Sequence, residues 1–444
     1  MRVVLIATYE MGRQPFGLAS PAAWLRRAEF EVACADLARQ PIPAAALGEA
    51  GMVAVYMPMH TATRLALGYL PRLRAAAPGA RFCAYGLYAA INRASLRAAG
   101  FDAVLGPEFE AELVALAAAW RGGAAAPPVE SAALPKLRFL VPDRAGLPSL
   151  AAYAKLVAPG GERVAGFTEA SRGCKHRCRH CPITPVYNGQ FRVVAPGVVL
   201  EDIRRQVAAG AGHITFGDPD FFNGPTHALR IAEGLHREFP ALTYDVTIKV
   251  EHLRRHAALL PRLVATGCLL VTTAVESFDD AVLERLDKGH SAADFEAVLR
   301  HTRALGLALN PTFVSFTPWT TAASFAAMLR AIGEYGLAGQ VAPVQYGIRL
   351  LIPPHSRLLE LPDAPRWLGD YDAAALSYRW RAPEPAVEAL CERVQSAVAG
   401  SAARRSRAEI FEEVYAMAAP GGFHLPAAAP ARTTVPYLNE PWFC

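Results

Sequence analysis

The sequence predicts an α/β protein: a doubly wound parallel sheet comes first, a partial TIM-like (β/α)6 barrel follows, and a small helical region ends the chain. Two observations support this prediction. Short apolar segments with strand character alternate with helical segments in two series, on either side of a stretch rich in Gly, Ala, Ser and Pro. The second series contains about six β/α units, which fits a barrel that does not fully close.

The length of 444 residues is enough for two or three domains. We assign the N-terminal domain to residues 1–122 and a linker to residues 123–160. The barrel is assigned to residues 161–355 and the helical C-terminal region to residues 356–444.

Each predicted strand is short and apolar and is followed by a helical stretch or a turn, which predicts parallel pairing. In the first domain the strands are placed at residues 3–7, 30–35, 52–57, 81–85 and 102–105, with a closing helix at 110–120. In the barrel they are placed at residues 164–170, 213–217, 244–250, 268–276, 307–316 and 344–352. Two C-terminal helices are predicted at residues 385–399 and 405–417.

Composition and charge argue against several classes of protein. A net charge of +5 over 444 residues is too small to indicate binding to nucleic acid. The sequence has no run of about 18 apolar residues that would predict a membrane-spanning helix, and no secretory signal precedes the first strand. We therefore expect a cytoplasmic protein with no nucleic-acid or membrane partner.

Three of the eight cysteines crowd into the segment GCKHRCRHC. Cys174, Cys178 and Cys181 form a C-x3-C-x2-C pattern in a loop after the first barrel strand, where barrel active sites are built. Three thiolates in one short loop can hold three irons of a [4Fe–4S] cluster and leave the fourth iron without a protein ligand. Four cationic neighbours are expected to favour the thiolates, namely Arg172, Lys175, Arg177 and Arg179.

A structural zinc ion is the alternative interpretation of these cysteines. Zinc needs four ligands, and His176 or His180 could supply the fourth. The C-x3-C-x2-C spacing is not usual for zinc, however, and no second C-x2-C follows it. The iron–sulfur interpretation is therefore favoured.

This loop, after the first strand of a six-unit β/α barrel, resembles the radical S-adenosylmethionine (SAM) superfamily over about residues 164–354. In that family the open iron binds the amino and carboxylate groups of SAM. One electron from the reduced cluster then breaks a carbon–sulfur bond and gives a radical. The resemblance implies a [4Fe–4S] cluster and SAM as cofactors, with an electron donor such as flavodoxin or ferredoxin.

Six further residues occupy positions that the resemblance assigns to binding of SAM. His180 precedes the third cysteine, where many family members have an aromatic residue. Asp218 follows a strand where the family has a Gly-Gly-Glu type turn, although it could instead cap the next turn. Lys249 could equally form an ordinary salt bridge with Glu251. The predicted cofactor-binding residues are His180, Gly217, Asp218, Lys249, Glu276 and Ser277.

The first domain resembles the Rossmann-like, cobalamin (B12)-binding domain that precedes many of these barrels. The cobalt-ligating pattern of that domain is Asp-x-His-x-x-Gly, whereas the corresponding stretch here reads TYEMGRQPFGLAS and has no histidine. A lower histidine ligand to cobalt is therefore not expected. Cobalamin could bind without one, or the domain could be a vestigial scaffold or bind the substrate.

The ending EPWFC resembles a radical SAM subfamily whose tail continues as Cys-Cys-Ala-Glu-Pro or Cys-selenocysteine-Ala-Glu-Pro. The chain stops at Cys444, the first cysteine of that pattern. We hypothesise that the reading frame has been cut at a selenocysteine codon, and the alternative is a natural end with an unreactive cysteine. Under the first hypothesis Cys444 is a catalytic nucleophile on a mobile arm.

These features predict an enzyme that cleaves SAM reductively to a radical and modifies a small-molecule substrate. Cobalamin-dependent methyl transfer is one reaction that the resemblance allows. The alternative function is an iron–sulfur protein that transfers electrons or senses redox state without catalysis, and it would need no open iron and no SAM pocket.

Overall fold

The computed structural model describes residues 1–124, 134–399, 405–419 and 436–439. These residues form two large sheets, each wrapped by helices, and two short two-stranded ribbons. This is the α/β architecture that the sequence predicts, because both large sheets are built on parallel strands joined by helical connections.

The N-terminal sheet contains five parallel strands in the order β2-β1-β3-β4-β5. Its strands are β1 (Arg2–Ala7), β2 (Glu31–Asp36), β3 (Ala50–Tyr56), β4 (Arg81–Tyr85) and β5 (Ala103–Val104). Its helices are α1 (Phe16–Arg27), α2 (Ala44–Gly48), α3 (His60–Ala76), α4 (Leu87–Ile91), α5 (Arg93–Ala98) and α6 (Glu110–Arg121). All five predicted strands of this domain are confirmed. The strand order places the topological switch point between β1 and β3.

Both faces of this sheet are buried because successive side chains of β1 point to opposite sides. Val4 and Ile6 belong to the apolar cluster that includes Leu70 of α3. Val3 and Leu5 belong to a second cluster that includes Leu18 of α1 and Leu113 of α6. The continuous apolar sequence of β1 is therefore explained by burial on both faces.

The second series of elements begins within the predicted linker and carries the barrel. Its strands are β6 (Lys155–Ala158), β7 (Gly161–Thr168), β8 (Ser171–Gly173), β9 (Phe191–Val193), β10 (His213–Phe216), β11 (Thr243–Thr247), β12 (Cys268–Glu276) and β13 (Ala308–Phe313). Its helices are α7 (Thr184–Tyr187), α8 (Pro196–Ala208), α9 (Pro225–Glu238), α10 (Val250–Arg255), α11 (Leu260–Ala265), α12 (Asp280–Arg285), α13 (Ala292–Ala304) and α14 (Ala322–Glu334).

The C-terminal part adds three short strands and two helices. They are β14 (Leu368–Asp372), β15 (Ser377–Trp380), β16 (Tyr437–Leu438), α15 (Pro385–Ala399) and α16 (Arg407–Ala418). The barrel sheet runs in the order β13-β12-β11-β10-β7-β6-β16, in which β6 and β16 pair antiparallel at one edge. The strands β7, β10, β11, β12 and β13 are parallel and place their carboxyl ends on one rim.

Several helices of the barrel begin with sequence signals that fix their first turn. Pro196 and Pro225 stand at the start of α8 and α9, where the missing N–H of proline costs no helical hydrogen bond. Ser291 and Thr321 form capping boxes before α13 and α14. These starts set where each strand-to-helix connection on the functional rim ends.

The sixth barrel strand, predicted at residues 344–352, is not a regular strand. Pro343–Gly347 is a 3-10 helix, and the segment then makes one parallel bridge, between Phe316 and Arg349. Pro343 cannot donate a ladder hydrogen bond, and the Gln345 side chain accepts one from the Phe313 N–H instead. The apolar character that suggested a strand comes from burial of this turn against α15 and α16.

Within the described part of the chain, none of the helices combines the length and apolarity that crossing a bilayer requires.

Candidate functional site

The three clustered cysteines lie in the connection between β8 and β9, which pair as a short antiparallel ribbon after β7. Cys178 is buried, and Cys174 and Cys181 are partly exposed. The Cys178 carbonyl accepts hydrogen bonds from the Cys181 N–H at 3.3 Å and from the Thr184 hydroxyl at 2.9 Å. The loop therefore curls around one point and presents its three thiols at the carboxyl end of the barrel strands.

Hydrogen bonds from neighbouring strands hold the start of the cysteine loop. The Asp218 carboxylate accepts from the Ala170 N–H at 2.8 Å and from the Ser171 hydroxyl at 2.6 Å. The Asn223 side chain accepts from the Lys175 N–H at 3.1 Å and donates to the Gly173 carbonyl at 3.2 Å. The loop is therefore fixed by groups other than its own sulfurs.

Burial raises the pKa of the Cys174 thiol to about 12 and that of the Cys181 thiol to about 11. Both thiols are neutral at pH 7 in the metal-free chain. A bound metal deprotonates its thiol ligands directly, so thiolates at this loop depend on a metal ion or cluster.

Two of the four cationic neighbours that were predicted to favour the thiolates have other partners. Arg172 is buried against carboxylates of Glu110 and Glu169, and Arg179 donates to the Glu284 and Arg285 carbonyls.

Lys288, which the sequence analysis missed, is the buried cation that acts on the thiols. Its ammonium lowers the pKa of Cys181, although burial outweighs this effect, and Cys178 and Cys181 in turn raise the pKa of Lys288. Lys288 lies in the connection between α12 and α13, and only the barrel fold brings it to this site. Its sequence context, a lysine before a glycine, carries no signal that could have identified it.

Glu276 links this lysine to the cysteine loop. Its Oε1 atom lies 3.2 Å from Lys288 Nζ and 3.1 Å from His180 Nε2. Burial alone would raise the pKa of Glu276, but Lys288 and His180 outweigh it and hold this pKa well below its usual range. The other nitrogen of His180, Nδ1, is buried and has no hydrogen-bond partner.

The backbone of Glu276 is unusual for a residue other than glycine. Its φ angle is +67°, and the pairing of β12 with β13 shifts register between Ala274 and Glu276. Such a conformation is sparsely populated, and residues that adopt it cluster at functional sites, where a side chain must be aimed. Ser277, the next predicted residue, accepts a hydrogen bond from the Asp279 N–H at 3.0 Å in the turn before α12.

The residues after β10 have structural roles that their sequence positions did not reveal. A Cβ atom on Gly217 would lie 2.2 Å from the Phe167 ring, so glycine is required there for packing. Both carboxylate oxygens of Asp218 accept hydrogen bonds, from Ala170 and Ser171 just before the cysteine loop, and burial raises the pKa of Asp218 to about 7. Contact of either residue with a cofactor stays a prediction.

Lys249 lies beside the cysteine loop, just before α10. Its ammonium is 3.0 Å from the Glu251 carboxylate and 3.2 Å from His176 Nδ1. The salt bridge considered as one alternative is therefore present, and contact of Lys249 with a cofactor stays a prediction.

Cys444, predicted as a catalytic nucleophile, lies outside the described residues.

The N-terminal sheet meets the barrel at this loop. Tyr187 of α7 donates a hydrogen bond to Glu108 at 2.7 Å, and Tyr88 of α4 is close enough for Cys181 to raise its pKa. The loop after β1 contains the buried residues Glu10 and Gln14, each with one side-chain oxygen that lacks a partner. Burial raises the pKa of Glu10 to about 8. Unpaired polar atoms thus lie at the switch point of the sheet.

The family model of the Radical SAM superfamily matches residues 168–318, which include the cysteine loop, Glu276 and Lys288. A curated relative, the hopanoid C-3 methylase of Methylococcus capsulatus, is 27% identical over 152 residues. That match covers 34% of this chain and 29% of the relative, so this chain matches less than a third of the relative's length.

Solved structures give a longer match at lower identity. The cobalamin-dependent SAM radical enzyme OxsB, with aqua-cobalamin and SAM bound, superposes with a TM-score of 0.68 at 15% identity, covering 88% of this chain and 66% of that one. The radical SAM methyltransferase TsrM from Kitasatospora setae, with tryptophan and a SAM analogue bound, superposes with a TM-score of 0.64 at 16% identity, covering 95% of each chain. This chain thus shares the fold of those enzymes, and residues 168–318 are a radical SAM domain.

Proposed function

We propose that this chain is a radical SAM enzyme that binds a [4Fe–4S] cluster through Cys174, Cys178 and Cys181 and acts on a small-molecule substrate. We further propose that it uses cobalamin and transfers a methyl group. The observation that carries the proposal is the three-thiol loop at the carboxyl rim of the barrel, with Lys288 buried beside two of its sulfurs. When bound, the reduced cluster supplies the electron that cleaves a carbon–sulfur bond of SAM.

The donor chemistry of the loop fits this cluster. Three thiols are available at one rim, and the buried ammonium of Lys288 offsets part of the negative charge that iron-bound thiolates bring. In the proposed enzyme Lys288 also raises the reduction potential of the site, since a nearby cation stabilises the more negative, reduced state.

The residues around Glu276 fit the binding of SAM. Nδ1 of His180 is buried without a partner, which is costly unless a ligand supplies one. The ionised Glu276 carboxylate, held by Lys288 and His180, faces the same rim and can accept hydrogen bonds from a hydroxyl or ammonium group. We propose that His180 meets the adenine and that Glu276 positions the ribose or methionine part.

The N-terminal domain fits a ligand at the β1/β3 switch point, where Glu10 Oε1 and Gln14 Oε1 lack partners. The loop after β1 has no histidine, so any cobalamin held there would lack a lower histidine ligand from this loop. When bound, cobalamin supplies a carrier for the methyl group. The fold shared with OxsB and TsrM supports this assignment, and the tryptophan bound by TsrM supports a small-molecule substrate.

Anaerobic purification and reconstitution test the proposal. We expect about four irons per chain, a corrin spectrum after cobalamin is added, and cleavage of SAM when a strong reductant such as reduced flavodoxin or ferredoxin is supplied. Cys178→Ala is expected to lose the iron and the cleavage. Its control, Cys391→Ala, removes a buried thiol of α15, outside the loop, and is expected to keep both.

A fully loaded cluster that cleaves no SAM would overturn the enzymatic proposal and favour a protein that only transfers electrons. Iron retained by the Cys178→Ala variant would overturn the assignment of the ligands. Cleavage of SAM without binding of a corrin would remove the cobalamin part and leave the radical SAM part standing.

A further inference from the structure

A second group of metal-ligating side chains lies beside the cysteine loop, and the proposed function does not use it. His176, Asp220 and His252 each offer one ligand atom, and these atoms all lie within 4.8 Å of one another. His176 stands between Cys174 and Cys178, Asp220 follows β10, and His252 lies in α10 after β11. Three successive connections on the carboxyl rim thus converge on one point.

Two atoms of this group are buried and unpaired. Asp220 Oδ2 and His252 Nδ1 lie 2.7 Å apart, the distance of a close ion pair, but neither atom makes a hydrogen bond. Asp220 is 1% exposed and His252 is 0% exposed. A buried carboxylate oxygen without a hydrogen bond is costly, and a cation bound by both atoms would remove that cost.

We propose that His176, Asp220 and His252 bind one Zn²⁺ ion. Asp220 Oδ2 lies 2.7 Å from His252 Nδ1 and 3.7 Å from His176 Nε2. These distances bracket the separation of about 3.3 Å between neighbouring ligands of a tetrahedral zinc with bonds of about 2.0 Å. Two imidazoles and one carboxylate are also a usual zinc ligand set, in which a fourth position stays open to water.

A carboxylate and a lysine stand behind the first of these ligands. Glu251 Oε2 lies 3.5 Å from His176 Nδ1, and Lys249 Nζ lies 3.0 Å from the same Glu251 oxygen. A carboxylate near the outer nitrogen of a zinc-bound histidine orients the ring and makes it a stronger ligand. The Lys249 ammonium also lies 3.2 Å from His176 Nδ1. With zinc on Nε2, the Nδ1 atom carries a proton and donates it, so Lys249, which the sequence assigned to SAM, would pair with Glu251 alone.

A chain of hydrogen bonds without metal explains less of this geometry. His176 Nε2 and His252 Nε2 lie 3.1 Å apart, so one ring could donate to the other. Asp220 Oδ1 accepts a hydrogen bond from the Phe222 N–H at 2.9 Å, but the bond between the two rings leaves Asp220 Oδ2 without a hydrogen bond. The ion accounts for both unpaired atoms at once and ties the cysteine loop to the two neighbouring connections.

Metal analysis of the full chain, purified without oxygen and with its iron–sulfur cluster in place, tests the proposal. After incubation with Zn²⁺ and dialysis against a weak chelator, we expect about one zinc per chain. Asp220→Asn and His252→Gln are expected to lower the zinc content or affinity at least about tenfold while the iron content stays unchanged. Asp220→Asn keeps an oxygen for the Phe222 N–H, which protects the local fold.

Two controls make the result specific. His256→Gln changes a histidine whose ring centre lies 5.6 Å from that of His252, and it is expected to keep the zinc. A variant with Cys174, Cys178 and Cys181 all changed to Ala is expected to lose the iron and keep the zinc, which separates this site from the proposed function. Absence of bound zinc in the wild type, zinc loss only in the triple cysteine variant, or equal loss in His256→Gln would each overturn the proposal.

Discussion

Arg172 donates two parallel hydrogen bonds to Glu110, from Nη1 to Oε2 at 3.0 Å and from Nη2 to Oε1 at 2.6 Å. Glu110 begins α6 beside the N-terminal sheet, and Arg172 lies in β8, two residues before Cys174. Arg172 also bonds Glu169 through Nε at 2.6 Å. The strand that leads into the cysteine loop is thus attached to the N-terminal domain by a buried ion pair.

Arg172→Met is expected to lower the free energy of unfolding by about 3–5 kcal/mol, because it leaves buried carboxylates without their cation. Urea unfolding of the metal-free protein measures this. The control is Arg204→Met, since Arg204 also binds a carboxylate, that of Glu238, through two nitrogens but on the surface. We expect little change there. Equal losses in the two variants would contradict the role of burial.

Lys288→Met is expected to make the reduction potential of the proposed cluster more negative by tens of millivolts, because it removes a buried positive charge beside Cys178 and Cys181. A redox titration followed by electron paramagnetic resonance measures the shift. Lys288→Arg keeps the charge and should restore most of the potential. Arg285→Met, which removes an exposed cation paired with Asp363, should leave the potential unchanged. A shift of the same size in Arg285→Met would refute the prediction.

Asp218 predicts a pH dependence of stability. Burial raises its pKa to about 7 in the folded chain, whereas the value in the unfolded chain is about 3.9. Between these pH values the folded state holds a proton that the unfolded state has lost. The stabilisation that Asp218 contributes to the free energy of unfolding is therefore complete below about pH 4 and is lost as the pH rises to about 7.

The Asp218→Asn variant does not titrate at this position and provides the reference. Relative to it, the wild type should lose a few kcal/mol of unfolding free energy from about pH 4 to about pH 7 and change little above that. Urea unfolding of both metal-free proteins at several pH values measures the difference. A difference that is independent of pH would show that the Asp218 carboxyl does not change its charge on folding.

Gly173→Ala is expected to destabilise the chain by more than about 1 kcal/mol and to lower its iron content. The φ angle of Gly173 is +77°, and a Cβ atom there would lie 2.4 Å from the Tyr187 ring and 2.7 Å from the Gln190 carbonyl. Gly197→Ala is the matched control, because its Cβ would meet nothing within 4 Å in the first turn of α8. Thermal unfolding and iron analysis should leave the Gly197 variant unchanged or slightly stabilised.

Sequence patterns were sufficient to predict elements whose structure depends on the local sequence. The cysteine spacing located the loop, and the apolar segments located β1 to β5, because burial on both faces makes such strands continuously apolar. Glu276 was correctly placed at the end of a strand on the rim, and its contact with a cofactor stays a prediction. The segment at residues 344–352 was misread, since an apolar 3-10 turn and an apolar strand have similar composition.

Other residues could not be found from the sequence, because their partners are far away along the chain. Lys288 reaches the thiols, and Arg172 reaches Glu110, only after the sheets have formed. Gly217 and Asp218 were recognised as special positions, but their packing against Phe167 and their bonds to the cysteine loop depend on tertiary contacts. A motif predicts where a site lies more readily than which side chains complete it.

The bonds that shape the cysteine loop come from Asp218, Asn223 and Thr184, and none of them needs a sulfur atom of the loop. The shape of the loop therefore does not depend on a metal. In the proposed enzyme, loss of the cluster to oxygen would leave this loop in place, so we expect that the cluster could be rebuilt without unfolding the chain.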